Sequence, residues 1–145
     1  MTAPDRTAVD RPARAARRER TTRETAISVT LDVDGPRGEV EVSTGLPFFD
    51  HMLDQIGRHG GFDLTVDARG DLEVDGHHTV EDVGILLGET FREALGDKAG
   101  VRRFASGLYP LDEELVEVAL DLSGRPYFVW DVPFVAVNHL EAHLY

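Results

Sequence analysis

Two ten-residue stretches, AISVTLDVDG at 26–35 and LVEVALDLSG at 115–124, match in character position for position at a spacing of 89 residues. They share Val29/Val118, Leu31/Leu120, Asp32/Asp121 and Gly35/Gly124. Strand composition alone can produce such a match over ten residues, but duplication of one supersecondary unit is the reading that constrains the fold. Under it, everything between the two stretches belongs to a first unit. A second unit begins near residue 99 and would need about 50 residues beyond Tyr145 to finish, so the chain is expected to be one unit plus the opening hairpin of another.

The first unit reads as ββ-α-ββ-α. ETAISVTLDVDG alternates Ile27, Val29, Leu31 and Val33 with smaller or polar residues, GPRG supplies a turn, and GEVEVS alternates again, which predicts a hairpin with one buried face. STGLPFFDHMLDQIGRHGG places Pro47 near a helix start and Gly60-Gly61 at its end. Leu46, Phe49, Leu53 and Ile56 fall on one apolar stripe, with His51, Asp54 and Arg58 opposite. FDLTVDARGDLEVDG predicts a second hairpin about Gly70, with Phe62, Leu64 and Val66 on one arm and Leu72 and Val74 on the other. VEDVGILLGETFREALG predicts a second helix with Val80, Val83, Leu87, Phe91 and Ala94 inward. The expected class is α+β: a four-stranded sheet with both helices on one face. Residues 1–22 are expected to be a disordered basic tail, 23–98 the first unit and 99–145 the start of the second. Residues 1–20 carry six arginines and almost no large apolar side chain, so an assembly or polyanion contact is the alternative role for that tail.

Charge and composition narrow the function. A net charge of −12 argues against general nucleic-acid binding and requires any phosphate site to be built from specific local cations. The absence of cysteine rules out disulfides and thiolate metal sites and fits a cytoplasmic protein. No apolar run suits a secretory signal or a membrane span.

GHHTVEDVG, residues 76–84, carries the chemistry. Thr79 with Asp82 three residues later reads as a helix N-terminus with a hydroxyl cap. His77, His78 and Glu81 also stand where a strand gives way to a helix, so an imidazole and a carboxylate can approach each other there. Two nitrogens and one oxygen suit Mn, Fe, Zn or Co but are too few for a closed shell. His51 is a candidate contributor from the other helix, or a member of a solvated polar face; His59 is a candidate site residue, or a cap at the Gly-Gly stop. HTVED is neither HExxH nor HxxEH, which excludes the common zinc-protease patterns. Residues 32–35 lack the ligands of a calcium loop, and no GxGxxG or Walker loop occurs.

The string GLPFFDHMLDQIGRHGGFDLTVDARGDLEVDGHHTVEDVGILLGETFREALG, followed by VRRF and LDLSGRPY, strongly resembles the imidazoleglycerol-phosphate dehydratases of histidine biosynthesis, from about Arg23 to Trp130. DHM and HHTVED in this order carry most of that resemblance. It implies a duplicated fold of the ribosomal-protein-S5 domain-2 type, a large octahedral homo-oligomer with sites between subunits, and two Mn2+ ions per site. By position, the resemblance assigns His51, His77, His78 and Glu81 as metal ligands, and Glu24, His51, His59, His77, Glu81, Arg103 and Arg125 as substrate contacts. Arg103 and Arg125 would otherwise read as a surface charge and a turn residue; as substrate contacts each could grip a phosphate through paired hydrogen bonds.

The implied reaction removes water from imidazole glycerol phosphate to give imidazole acetol phosphate. The proton lost leaves a carbon with no carbonyl next to it, so the ring must take up charge, which a metal on a ring nitrogen would favour. Glu24 and Glu81 are the candidate catalytic carboxylates, with Glu24 moving the proton at carbon. The family's second HHxxE motif and its C-terminal phosphate-binding segment are not in this sequence, and His139 and His143 are the candidates for a further ligand. The alternative reading is therefore an inactive metal-binding or oligomerising remnant. An uncovered second hairpin would leave apolar strand surface exposed and favour association.

Overall fold

Residues 13–35 and 38–131, with the backbone of two short strands near the C-terminus, are described by the computed structural model. Ten elements follow one another: β1 (Ala15–Thr21), β2 (Thr25–Asp32), β3 (Val40–Ser43), α1 (Pro47–Gly60), β4 (Asp63–Gly70), α2 (His77–Leu95), β5 (Phe104–Leu111), β6 (Glu114–Asp121), β7 (Ala136–Val137) and β8 (Leu140–Glu141). They divide into two units, Met1–Gly96 with Val135–Tyr145, and Asp97–Phe134. The first holds a four-stranded sheet in the order β1-β2-β4-β3; β5 pairs with β6, and β7 with β8. None of the described helices is long and apolar enough to cross a membrane.

The alternation read in the sequence selects the buried face. Ile27, Val29 and Leu31 of β2 lie opposite Ala68, Val66 and Leu64 of β4, and all six are buried. Phe49 and Leu53 of α1 and Val80, Val83, Leu86, Leu87 and Ala94 of α2 complete that core. Each fully buried aliphatic side chain contributes about 1.5–3 kcal/mol, which is what holds the helices to the sheet. The four-stranded sheet with two helices is thus the α+β arrangement expected, although two of its strands are recruited differently.

Three expectations are corrected. β2 and β3 do not form a hairpin: β4 lies between them, antiparallel to β2 and parallel to β3. The reason is α1, which returns the chain from β3 to the same sheet as a β-α-β crossover, the connection a parallel pair needs. The hairpin expected about Gly70 is also absent. β4 runs unbroken to Gly70 because it pairs with β2 along its whole length, and 72–74 form a turn closed by the Val74 amide donating to the Asp71 carbonyl at 2.8 Å. Lastly, Ala15–Thr21 is an edge strand rather than tail. Its alternate arginines explain this: Arg18 pairs with Glu89 (3.2 Å) and Glu93 (2.7 Å), and Arg20 with Asp82 (2.8 Å), all on α2. The first twelve residues of the expected tail lie outside the described residues.

The ends of α1 match their sequence signals. Pro47 starts it, the Asp50 carboxylate accepts both the amide (2.8 Å) and hydroxyl (2.6 Å) of Thr44, and Gly61 at φ 69° closes it. For α2 the cap differs from the one expected. Thr79 is buried in the second position after His77, and the Asp75 carboxylate accepts the His77 amide at 2.8 Å instead.

The sequence repeat extends further in the structure than in the sequence. β1 and β2 recur as β5 and β6 at the same spacing of 89 residues, and the pairings Ala15 with Asp32 and Phe104 with Asp121 coincide. Their surroundings differ: Val116, Val118 and Leu120 are 56%, 37% and 55% exposed, whereas Ile27, Val29 and Leu31 are at most 4% exposed.

Candidate active site

At one end of the four-stranded sheet the β1–β2 turn, the exit of β4 and the start of α2 come together, since Thr25 pairs with Gly70 across β2 and β4. His77 and His78 open α2, and Glu81 follows one turn later. That spacing puts His77 and Glu81 on one helix face, where His77 Nε2 stands 3.6 Å from Glu81 Oε2 with both side chains largely exposed. Two donors bound to one divalent cation, each about 2.1 Å from it, would stand about 3–3.5 Å apart, so this pair fits a shared ion.

His78 turns a different way. Its Nδ1 lies 2.9 Å from Asp71 Oδ2, and its ring meets that of His77 edge-to-face at 5.7 Å. The Asp71 hydrogen bond raises the His78 pKa above its ordinary value, against a lowering by desolvation, with further attraction from Asp71, Glu24 and Asp75. With Nδ1–H donated to Asp71, the lone pair of the neutral ring resides on Nε2. A carboxylate holding the second nitrogen of an imidazole is the usual partner of a histidine ligand.

The sequence-predicted residues are thus partly gathered. His77 meets Glu81, and Glu24 is near enough to His78 to influence its charge. His51 is exposed on α1, and no three His, Asp or Glu side chains converge as a cation site among the described residues. His59 does not cap α1; its Nε2 contacts Gln55 Oε1 at 2.9 Å one turn back. His77 and Glu81 also edge a cleft of about 510 Å³ between α1 and α2, walled by Phe49, Met52, Leu53, Ile56 and Val80 among others.

In the Asp97–Phe134 unit, Arg103 is engaged. Its Nε and Nη2 donate to Asp121 Oδ1 and Oδ2 at 2.7 and 3.1 Å, and its guanidinium lies over the Phe104 ring at 4.8 Å. The Arg103 hydrogen bond holds the Asp121 carboxyl below its ordinary pKa, with Arg125 and Lys98 adding to the effect. Arg125 is exposed, its amide donating to Ser123 Oγ at 3.2 Å. His139 and His143 lie outside the described residues.

Sequence reasoning missed Asp71, Asp82 and Asp121. Asp71 had a signal, since it leaves β4 seven residues before His78, but Arg69-Gly70-Asp71 looked like a turn. Asp82 read as a cap partner, and no periodicity marks Asp121 as the acceptor for Arg103.

A family model described as imidazoleglycerol-phosphate dehydratase matches residues 44–144. An imidazoleglycerol-phosphate dehydratase of Acidothermus cellulolyticus is 62% identical over 120 residues, covering 83% of this chain and 58% of the relative. One from Citrifermentans bemidjiense is 53% identical over 134 residues, covering 91% and 68%. The chain therefore spans roughly three fifths to two thirds of the length of these curated relatives. Among solved structures, imidazoleglycerol-phosphate dehydratase from Staphylococcus aureus aligns at a TM-score of 0.75 and 30% identity over 90% of this chain and 71% of that one. The Pyrococcus furiosus enzyme aligns at 0.66 and 35%, over 84% and 64%.

Proposed function

Because the chain belongs to the imidazoleglycerol-phosphate dehydratase family, we propose that it serves a metal-dependent hydro-lyase converting D-erythro-imidazole glycerol phosphate to imidazole acetol phosphate in histidine biosynthesis. The observation that carries the reading is the oriented imidazole: His78 held by Asp71 at 2.9 Å, directly beside the His77–Glu81 pair. That arrangement is suited to metal binding.

His77, Glu81 and the free nitrogen of His78 would hold the cation, Mn2+ in the family resemblance, and His51 would join from another copy in a homo-oligomer. When bound, such a cation supplies Lewis-acid stabilisation of negative charge on the substrate ring. Asp71 keeps the His78 ring turned so that Nε2 remains the donor. Glu24, exposed on the β1–β2 turn, takes the proton from the middle carbinol carbon and returns one to the carbon beside the ring that has lost hydroxide. Arg103 and Arg125 supply the positive charge that a phosphate needs on a chain of net charge −12, with Arg103 exchanging its Asp121 partner for phosphate oxygens. The lack of cysteine accords with a reducing compartment, and we assign the enzyme to the cytoplasm.

The test is turnover of imidazole glycerol phosphate with added Mn2+, comparing this chain with one extended by a complete second half. Activity of the chain alone means that self-association builds the site. Activity only in the extended chain, abolished by Glu24→Gln, means that these residues are required but not sufficient. An extended chain that binds substrate but never dehydrates it refutes the proposal.

A further inference from the structure

Asp82 follows Glu81 in sequence but faces the sheet. It is 7% exposed, and both of its carboxylate oxygens are used: Oδ1 accepts Arg20 Nε–H at 2.8 Å and Oδ2 accepts the Thr25 hydroxyl at 2.5 Å. The second bond sets the direction of those beyond it. A hydroxyl has one proton, and Thr25 gives its proton to Asp82. The 3.1 Å contact between Thr25 Oγ1 and Thr22 Oγ1 must then be donated by Thr22. With its proton committed, Thr22 Oγ1 keeps two lone pairs, and two peptide N–H groups donate to it: Glu24 at 3.2 Å and Thr25 at 3.0 Å.

We propose that Asp82 is a positioning residue that acts through Thr25 and Thr22 to fix the turn presenting Glu24. An ionised carboxylate can only accept, so it polarises the chain Thr22→Thr25→Asp82 in one sense and leaves the far end free to receive the Glu24 amide. An amide at 82 cannot satisfy both neighbours. If its oxygen accepts from Thr25, its NH2 faces the Arg20 N–H; if its oxygen accepts from Arg20, its NH2 faces Thr25 and reverses the chain. In the reversed chain Thr25 donates to Thr22, which occupies a lone pair and leaves one for two amides. The helix turn bearing His77, His78 and Glu81 is thereby tied to the strand turn bearing Glu24 by a buried residue that touches neither metal nor substrate. Its functional meaning rests on the reading of Glu24 as a reacting group.

The test is amide hydrogen exchange by NMR on the 145-residue chain, with the Val29 and Val66 amides in the paired β2 and β4 strands as core references. Asp82→Asn should speed exchange at Glu24 and Thr25 about five- to tenfold beyond any change at Val29 and Val66. Thr22→Ala, which removes the acceptor, should do the same, and Thr22→Ser should restore protection. Should Asp82→Asn fail to fold, Thr25→Val cuts the link while leaving Asp82 with Arg20, and Thr25→Ser should rescue it. Glu24 and Thr25 amides that stay at their parent rates, or move only in step with the core references, overturn the positioning role. Turnover is a separate measurement: an extended chain without dehydratase activity would remove the role of Glu24 and leave the exchange result standing.

Discussion

Replacing Gly70 with alanine tests how tightly the exit of β4 is locked to the first turn of α2. A Cβ at position 70 would lie 2.0 Å from Thr79 Oγ1 and 3.2 Å from Thr79 Cβ, where ordinary contact begins near 3.4 Å. Thr79 is fully buried, its hydroxyl has no hydrogen-bond partner among the described residues, and a β-branched side chain has few rotamers in a helix. The helix turn carrying His77 and His78 must therefore shift rather than the hydroxyl alone. Overpacking of this kind costs about 1–3 kcal/mol. For a unit of this size that lowers Tm by about 4–8 °C per kcal/mol. Thr79→Ala removes the clashing oxygen and a methyl, at a cost of about 1 kcal/mol for the lost apolar contact. The double variant should then be about 1–2 kcal/mol more stable than the sum of the two single changes. Chemical unfolding of the four proteins, followed by circular dichroism, measures this coupling. Additivity to within about 0.5 kcal/mol would refute the contact and the locking it implies.

His78 should titrate above its ordinary 6.5, and Asp71→Asn should bring it down toward that value, as read from the ring proton shifts. Because the folded value is raised, the pair's stabilisation is complete below about pH 6.5 and disappears as pH rises through the folded value; an unmoved His78 in the variant would mean that Asp71 does not hold the ring. Asp121 should titrate below its ordinary 3.8, so its contribution to the β5–β6 hairpin persists above that pH and is lost as pH falls through the depressed value. Arg103→Gln should return the carboxyl to its ordinary range in a 13C-detected titration, and a carboxyl that stays low would assign the shift elsewhere. Val116→Thr, Val118→Thr and Leu120→Thr together should cut binding of a hydrophobic dye and self-association in sedimentation, with little change in the unfolding of the first unit. Unaltered association would mean that some other surface drives it.

What could be read from the sequence was whatever a short-range pattern encodes. Helix α1 has a proline, an apolar stripe and a terminal glycine within fifteen residues, and each acts locally. The core positions of β2 and β4 follow from alternation, which fixes a face whatever the neighbouring strand proves to be. Strand order was not legible, because GEVEVS alternates equally well beside β2 or beside β4 and only the helical crossover through α1 decides between them. β1 was hidden for a different reason. ARRERT has no apolar alternation, and its strand is secured by Glu89, Glu93 and Asp82, which lie more than sixty residues away. At the site, HHTVED announced a histidine–carboxylate cluster, and His77 with Glu81 follows from helix geometry alone. The partner of His78 does not, since it depends on where β4 stops.

The duplicated hairpin separates what a strand pattern determines from what its neighbours supply. β1–β2 and β5–β6 share register and turn position, with β5 one residue longer than β1, and both carry aliphatic residues at alternate positions of the second strand. Local sequence thus builds the same two-stranded object twice. In the first copy β4 occupies the outer edge of β2, and α2 covers Ile27, Val29 and Leu31. In the second, β6 has a single strand partner among the described residues, and Val116, Val118 and Leu120 stay in contact with solvent. A two-stranded hairpin is at best marginally stable in water, so cross-strand pairs and Arg103–Asp121 must do for β5–β6 what a packed core does for β1–β2. The two hairpins should accordingly lose structure separately, with amides of β6 exchanging far faster than their counterparts in β2. Equal protection at Val118 and Val29 would mean that the aliphatic face of β6 is covered in solution.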